Sequence, residues 1–142
     1  MKGKILVTVQ FGCLALLIVF TRWATFTWWV FVLLGFSAFL AFWAMFAMRF
    51  GNFNVVPYPV EKGEMISDGP YKVIRHPMYT SIFIFIAAIL CGQFDYIKLV
   101  ISIILIVGLV LKMLFEESLL CEHFPAYKSY MQKTKRVIPF VW

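Results

Sequence analysis

Charged residues are scarce in this chain. They make up 14% of its 142 residues, whereas a soluble domain carries about 25%. Hydrophobic residues make up 63%. A chain of this composition cannot cover a folded surface with polar side chains. We therefore expect one domain with a membrane as its solvent.

Cysteine motifs are missing as well. Cys13, Cys91 and Cys121 are widely spaced and form no CxxC pair. This spacing provides neither a disulfide framework nor a zinc site. We therefore expect reduced thiols and no bound metal.

Long apolar runs are what the chain does have. Four of them come close to the roughly 20 residues that cross the hydrocarbon core of a bilayer: residues 5–20, 25–48, 78–94 and 97–115. They predict an all-α integral membrane bundle of about four transmembrane helices. The first run could also be a secretory signal, but the absence of a small-residue cleavage site after Phe20 favours an uncleaved span. The short links 21–24 and 91–96 predict two antiparallel hairpins.

The positive charges are sorted along the chain. With the N-terminus in the cytoplasm, 11 of the 13 Lys and Arg residues fall on the cytoplasmic side, and only Arg22 and Lys98 fall on the other. This bias predicts that both termini, the loop at about 49–77 and the polar tail are cytoplasmic. It also explains the net charge of +6 through topology and anionic membrane lipids, without a nucleic-acid partner.

The predicted topology brings two polar groups of residues together at the cytoplasmic ends of the third and fourth spans. Polar side chains at membrane depth are costly and usually functional. The residues concerned are Arg75, His76 and Tyr79 on one side and Lys112, Glu116 and Glu117 on the other.

Each group has a structural and a functional interpretation. Pro77 suits the first turn of a helix, and the free N–H groups of that turn could bind an anion. Alternatively, Arg75 and His76 only mark the membrane interface. Glu116 and Glu117 could be a surface acidic pair or could face a cationic or hydroxyl-rich ligand. The functional interpretations together predict a zwitterionic or mixed ligand.

Two aromatic-rich segments also leave two interpretations open. The tail HFPAYKSYMQKTKRVIPFVW alternates aromatic and basic residues, which predicts an interfacial helix on the cytoplasmic leaflet or a lid over the site. The aromatic residues of the second span indicate lipid contact or a groove for a lipid tail.

The motifs GPYKVIRHPMY, EESLL, FPAYKSY and RVIP, with an apolar hairpin after the first, resemble the isoprenylcysteine carboxyl methyltransferase family. Its relatives include phospholipid N-methyltransferases. The resemblance covers about residues 60–140 and implies S-adenosylmethionine as methyl donor. Ser81 stands where the family often has glycine, which predicts a small change in helix packing.

The resemblance also implies roles for individual residues. Arg75 and Lys112 would lie nearer the acceptor, which we expect to be a lipophilic small molecule or a lipid-tailed molecule. Methylation of a carboxylate or hydroxyl oxygen is favoured; an enol or amine acceptor would need a base, for which His76 or Glu117 are candidates. The implied cofactor-binding residues are Met65, Ile66, Tyr71, His76, Pro77, Met78, Tyr79 and Glu116.

Two functions of other classes remain open. Sterol-reductase-like membrane enzymes, which bind NADPH, also carry an RHP–Tyr element, usually with Asn where this chain has Met78. A non-enzymatic membrane subunit would need buried polar residues near the bilayer midplane, where this chain offers Ser81, Ser102 and Gly108. Binding of S-adenosylmethionine, of NADPH or of neither would distinguish the methyltransferase, the reductase and the non-enzymatic subunit.

Overall fold

The computed structural model describes residues 2–48, 65–139 and 141, and within them the fold is all-α, as predicted. Residues 49–64 of the expected cytoplasmic loop, with Arg49 and Lys62, lie outside the described residues. Two short 3₁₀ turns, Trp23–Thr25 and Gly69–Lys72, accompany the helices. The helices are α1 (Lys2–Phe20), α2 (Trp28–Met48), α3 (Pro77–Gly92), α4 (Tyr96–His123) and α5 (Tyr127–Lys133).

The helices differ in their ability to cross a membrane. Among the described residues, three helices, α1, α2 and α4, are long and apolar enough to span one. Helix α3 has 16 residues, which is about 24 Å at 1.5 Å per residue and falls short of a hydrocarbon core of about 30 Å. About four spans were predicted; the described residues contain three helices of spanning length and one shorter apolar helix, Pro77–Gly92.

Two predicted boundaries were also wrong. Helix α2 begins at Trp28 rather than at residue 25 because Trp23–Thr25 forms a 3₁₀ turn. Helix α4 continues past residue 115 to His123, because the next helix-breaking residue is Pro125. Glu116 and Glu117 are therefore helical residues whose directions are set by the α4 backbone.

The long helices pack in two pairs, α1 along α4 and α2 along α3. Leu17, Leu105 and Leu109 are fully buried or nearly so in the first core, and Val30 and Ile89 are fully buried in the second. The two helices of each predicted hairpin, α1 with α2 and α3 with α4, are therefore not each other's main packing partners.

The two short links meet at one end of the bundle. Gln93 Oε1 accepts a hydrogen bond from the backbone N–H of Arg22 at 3.2 Å, and Gln93 Nε2 donates to Thr25 Oγ1 at 3.2 Å. Lys98, which is buried, donates to the same Gln93 oxygen. These bonds join the turns, and the polar residues of interest lie at the opposite ends of α3 and α4.

The tail returns to the start of α3. The backbone N–H of Arg75 donates to Lys135 O at 2.7 Å, and that of His76 donates to Arg136 O at 2.9 Å. In the other direction, Lys135 N–H donates to Val73 O at 3.1 Å, so the two segments run parallel. Tyr127 and Tyr130 of α5 are buried, which anchors the tail against the same end of the bundle.

Candidate active site

The chain enters α3 through a sharp turn. Gly69 has a φ of 57°, in the left-handed region that favours glycine, and a Cβ there would lie 3.1 Å from Ala47 Cβ. His76 then caps α3, with Pro77 in the first turn, where its missing N–H leaves no hydrogen bond unmade. The turn thus places His76 at the N-terminal end of α3, where its side chain is buried.

Tyr79 and Glu116 connect α3 to α4. Tyr79 Oη donates to Glu116 Oε1 at 2.6 Å, and the Tyr79 ring stacks on the His76 ring with centroids 5.4 Å apart. Glu116 Oε2 lies 3.8 Å from His76 Nδ1. The Glu116 carboxylate therefore faces both the His76 ring and the Tyr79 hydroxyl. The predicted meeting of the RHPxY motif with the Glu–Glu pair is thus observed.

Glu117 makes a separate set of contacts. Its Oε1 accepts from Arg75 Nε at 2.8 Å, and its Oε2 accepts from Arg136 Nε at 2.9 Å. Arg75 Nη1 also donates to Met131 O at 3.0 Å and to the backbone oxygen of Thr134. This buried network joins α3, α4 and the tail.

Lys112 lies one turn before Glu116 on α4. Its Nζ donates to Gln10 Oε1 of α1 at 3.0 Å and lies 5.4 Å from the centroid of the Tyr79 ring, within range of a cation–π contact. Only 4% of Lys112 is exposed. The buried Lys112 amino group is therefore held between α1 and α3.

These groups surround a cavity of about 290 Å³, close to the lower end of the roughly 300–1,000 Å³ that is usual for small-molecule sites. It combines one acidic and three basic side chains with aromatic and aliphatic walls. Its lining residues are Gln10, Phe11, Leu14, Ala41, Met48, Tyr71, Arg75, His76, Met78, Tyr79, Ser81, Ile82, Lys112 and Glu116.

Two buried polar atoms of lining residues make no hydrogen bond to any described residue. They are Tyr71 Oη and His76 Nε2, the latter 3.4 Å from Glu117 Oε1. Burial raises the pKa of the Tyr71 phenol, and the neighbouring Tyr130 and Glu116 add to the shift. The phenol therefore stays a neutral donor, and unpaired buried polar groups of this kind are costly unless a ligand satisfies them.

Most of the predicted site residues meet at this cavity. Four do not line it. Met65 and Ile66 are half-buried before the turn, and Pro77 is buried within α3. Glu117 is also absent from the lining, because both its oxygens face arginines. The predicted residues that do line the cavity are Tyr71, Arg75, His76, Met78, Tyr79, Lys112 and Glu116.

Sequence reasoning missed several contributors. Gln10 lies in the first predicted span and was not predicted as a site residue, although a polar amide among apolar membrane residues indicates a functional position. Arg136 and Thr134 lie in the basic tail, and no spacing rule links Arg136 to Glu117 or Thr134 to Arg75. Ser81 lines the cavity, and its backbone oxygen accepts from Ser37 Oγ at 2.7 Å, which joins α3 to α2.

Comparison with known proteins gives one match. A family model described as phospholipid methyltransferase matches residues 25–127, from the turn before α2 to the first residue of α5. No curated protein and no solved structure matches the chain significantly. The matched region contains both halves of the RHPxY and Glu–Glu pattern but excludes α1 and the segment 134–137.

Proposed function

The chain belongs to the phospholipid methyltransferase family, a family of membrane methyltransferases, and we propose that it uses S-adenosylmethionine to methylate a lipophilic acceptor. The observation that carries the proposal is the contact between Tyr79 and Glu116, 2.6 Å long, at a cavity that His76 and Lys112 also line. Acid, base and hydroxyl groups converge there on one small volume.

The residues present fit the proposed cofactor. S-adenosylmethionine carries a carboxylate, an amine, a ribose and a sulfonium. The Glu116 carboxylate suits an amine or ribose hydroxyls, while Tyr71 Oη and His76 Nε2 are buried polar atoms with hydrogen-bonding capacity left over. When bound, the cofactor supplies an electrophilic methyl group.

The chain contributes mainly positioning and a dry environment. Methyl transfer from a sulfonium is an in-line displacement in which positive charge disappears, and an apolar cavity favours that loss relative to water. Holding two reactants in alignment lowers a barrier by about 7–11 kcal/mol. The aliphatic and aromatic walls formed by residues such as Phe11, Leu14 and Ile82 suit a lipophilic acceptor and exclude water.

We favour a carboxylate or hydroxyl oxygen as the methylated atom. A carboxylate is already a nucleophile and needs no base, and the cavity offers Lys112 and Arg75 as cations to hold it. For an acceptor that must lose a proton, His76 is the better placed base because it lines the cavity. Glu117 is less suited, because Arg75 and Arg136 occupy both of its oxygens.

The distribution of positive charge favours a cytoplasm-facing site. The cavity lies at the end of α3 and α4 that the excess of Lys and Arg assigns to the cytoplasm. S-adenosylmethionine would then reach the site from the aqueous side and the acceptor from the lipid.

Calorimetric titration of the detergent-purified full chain with S-adenosylhomocysteine tests the cofactor, with NADPH as the competing ligand. We expect saturable binding of S-adenosylhomocysteine alone. Glu116→Gln should weaken it by roughly 10- to 100-fold, since hydrogen bonds to charged groups contribute about 1.5–3 kcal/mol. Glu122→Gln is the matched control, because Glu122 is an exposed residue of the same helix.

Two results would overturn the proposal. Binding of NADPH instead would favour a reductase. Binding of neither nucleotide by protein shown to be folded would favour a non-enzymatic membrane subunit.

A further inference from the structure

Helix α1 carries one side-chain amide, Gln10, in a mainly apolar stretch. Its polar neighbour Thr8 satisfies its hydroxyl within the helix by donating to Lys4 O at 3.1 Å. Gln10 instead reaches another helix. An amide at membrane depth is costly unless it has partners or a function, so its presence in α1 calls for a physical reason.

The contact with Lys112 fixes the orientation of the amide. An ammonium only donates hydrogen bonds, so the Gln10 oxygen must face Lys112 Nζ, 3.0 Å away. The amide nitrogen is then the end of Gln10 that can donate to a bound group. Because the amide has no net charge, its bond orients the Lys112 amino group without forming an ion pair with it.

The same face of α1 also provides an apolar wall. Phe11 and Leu14 follow Gln10 by one and four residues, and all three line the cavity. Residues four apart share a helix face, so polar and apolar groups lie side by side along one helix. A molecule with a polar head and an apolar chain matches this arrangement.

Building on the methyltransferase function proposed above, we propose that Gln10 is a specificity-determining residue of the acceptor site. Lys112 and the Gln10 amide nitrogen together bind an anionic oxygen on the head group of a lipophilic acceptor, and Phe11 and Leu14 contact its chain. The head group is a carboxylate or a phosphate. Gln10 lies in α1, outside the matched residues 25–127, so the family match does not cover this residue.

The test uses the full chain in nonionic detergent, saturated with S-adenosylhomocysteine. Four probes share one 18-carbon chain: oleate, oleyl phosphate, oleyl alcohol and oleylamine. The measurement is the probe concentration that gives half of the maximal rise in unfolding temperature. In the wild-type protein we expect one of the two anionic probes to act at a concentration roughly tenfold lower than the alcohol or the amine, and the better anion identifies the head group.

Two substitutions at Gln10 give different expected results. Gln10→Leu removes the second donor and should raise the half-maximal concentration of the better anionic probe by roughly tenfold. Gln10→Glu should raise it further, because a carboxylate would neutralise Lys112 and repel the anion. Thr8→Val, on the same helix but outside the cavity, should leave it unchanged.

The affinity for S-adenosylhomocysteine separates the possible failures. We expect it to stay within about twofold of wild type in both Gln10 variants. A parallel fall in this affinity would place Gln10 at the cofactor end and overturn the inference. Equal responses to anionic and cationic probes, or improved anion binding by Gln10→Glu, would also overturn it while leaving the proposed function intact. A wild-type protein that binds no S-adenosylhomocysteine would overturn both.

Discussion

The Arg75 guanidinium and the Glu117 carboxylate form a buried ion pair, with Arg75 Nε 2.8 Å from Glu117 Oε1. The side chains are 7% and 5% exposed. Arg136 completes the group by binding the second Glu117 oxygen at 2.9 Å. The pair thus ties the RHPxY motif to α4 and to the tail, and it leaves Glu116 as the carboxylate of the Glu–Glu motif that faces the cavity.

Removing the Glu117 charge should therefore destabilise the fold. Breaking a buried pair by changing one partner costs about 3–5 kcal/mol, so we expect Glu117→Gln to lower the unfolding temperature by about 10 °C. Arg136→Met should have a smaller effect because that side chain is 28% exposed. Thermal unfolding in detergent measures both. A Glu117→Gln protein of unchanged stability that has lost methyl transfer would instead support Glu117 as the base.

Tyr79→Phe should weaken cofactor binding. The substitution removes the hydroxyl that donates to Glu116 at 2.6 Å but keeps the ring that stacks on His76. We expect the Kd for S-adenosylhomocysteine to rise roughly tenfold, in line with a hydrogen bond to a charged group. Titration calorimetry measures the change, with Tyr96→Phe at the exposed start of α4 as the control. An unchanged Kd would argue against Glu116 as a cofactor ligand.

Gly92→Ala should loosen the packing of α2 on α3. A Cβ at Gly92 would lie 2.9 Å from Val30 Cγ2 and 3.1 Å from Phe26 Cε1, and Val30 is fully buried. Overpacking of this kind costs about 1–3 kcal/mol. Gly108→Ala is the matched control, since its Cβ would meet Val9 Cγ1 at an ordinary 3.7 Å. Equal unfolding temperatures for the two variants would contradict the close approach at Gly92.

Alkaline pH should weaken the attachment of the tail. Tyr130 Oη donates to Tyr71 O at 2.6 Å, and burial raises the pKa of Tyr130 to about 12 from about 10 in an unfolded chain. Between these values the unfolded chain releases the proton while the folded protein keeps it. Stability should therefore fall as pH rises through this window, by at most about 1.4 kcal/mol per pH unit.

Tyr130→Phe isolates this contribution. The variant loses one hydrogen bond, which costs about 1 kcal/mol at neutral pH, but it has no phenol to titrate at that position. Its unfolding free energy, measured by denaturant titration at pH 8, 10 and 11, should fall less steeply than that of the wild-type protein. Parallel pH profiles would show that Tyr130 does not contribute to the alkaline loss.

The convergence of the two motifs could be predicted from the sequence because topology alone requires it. Antiparallel helices return the chain to the same side of a bilayer, so Tyr79 and Glu116 had to end at the same level. Topology alone could not predict which carboxylate faces the cavity, and only the family resemblance implied Glu116. Adjacent helical residues point about 100° apart, and only the rotation of α4 against α3 assigns Glu116 to the cavity and Glu117 to the arginines.

The sequence by itself determined the all-α membrane class, the approximate helices and the family, because span length is set by bilayer thickness and the motif residues are few and distinct. The tertiary structure alone decided that α1 packs on α4 and α2 on α3, that Gln10 meets Lys112, and that Arg136 binds Glu117. In an apolar span, residues that face lipid and residues that face protein look alike, so partner choice depends on close packing rather than on hydrophobic pattern. Three of the bonds that attach the tail to the segment before α3 join backbone groups, which any sequence can form, so no motif indicates them.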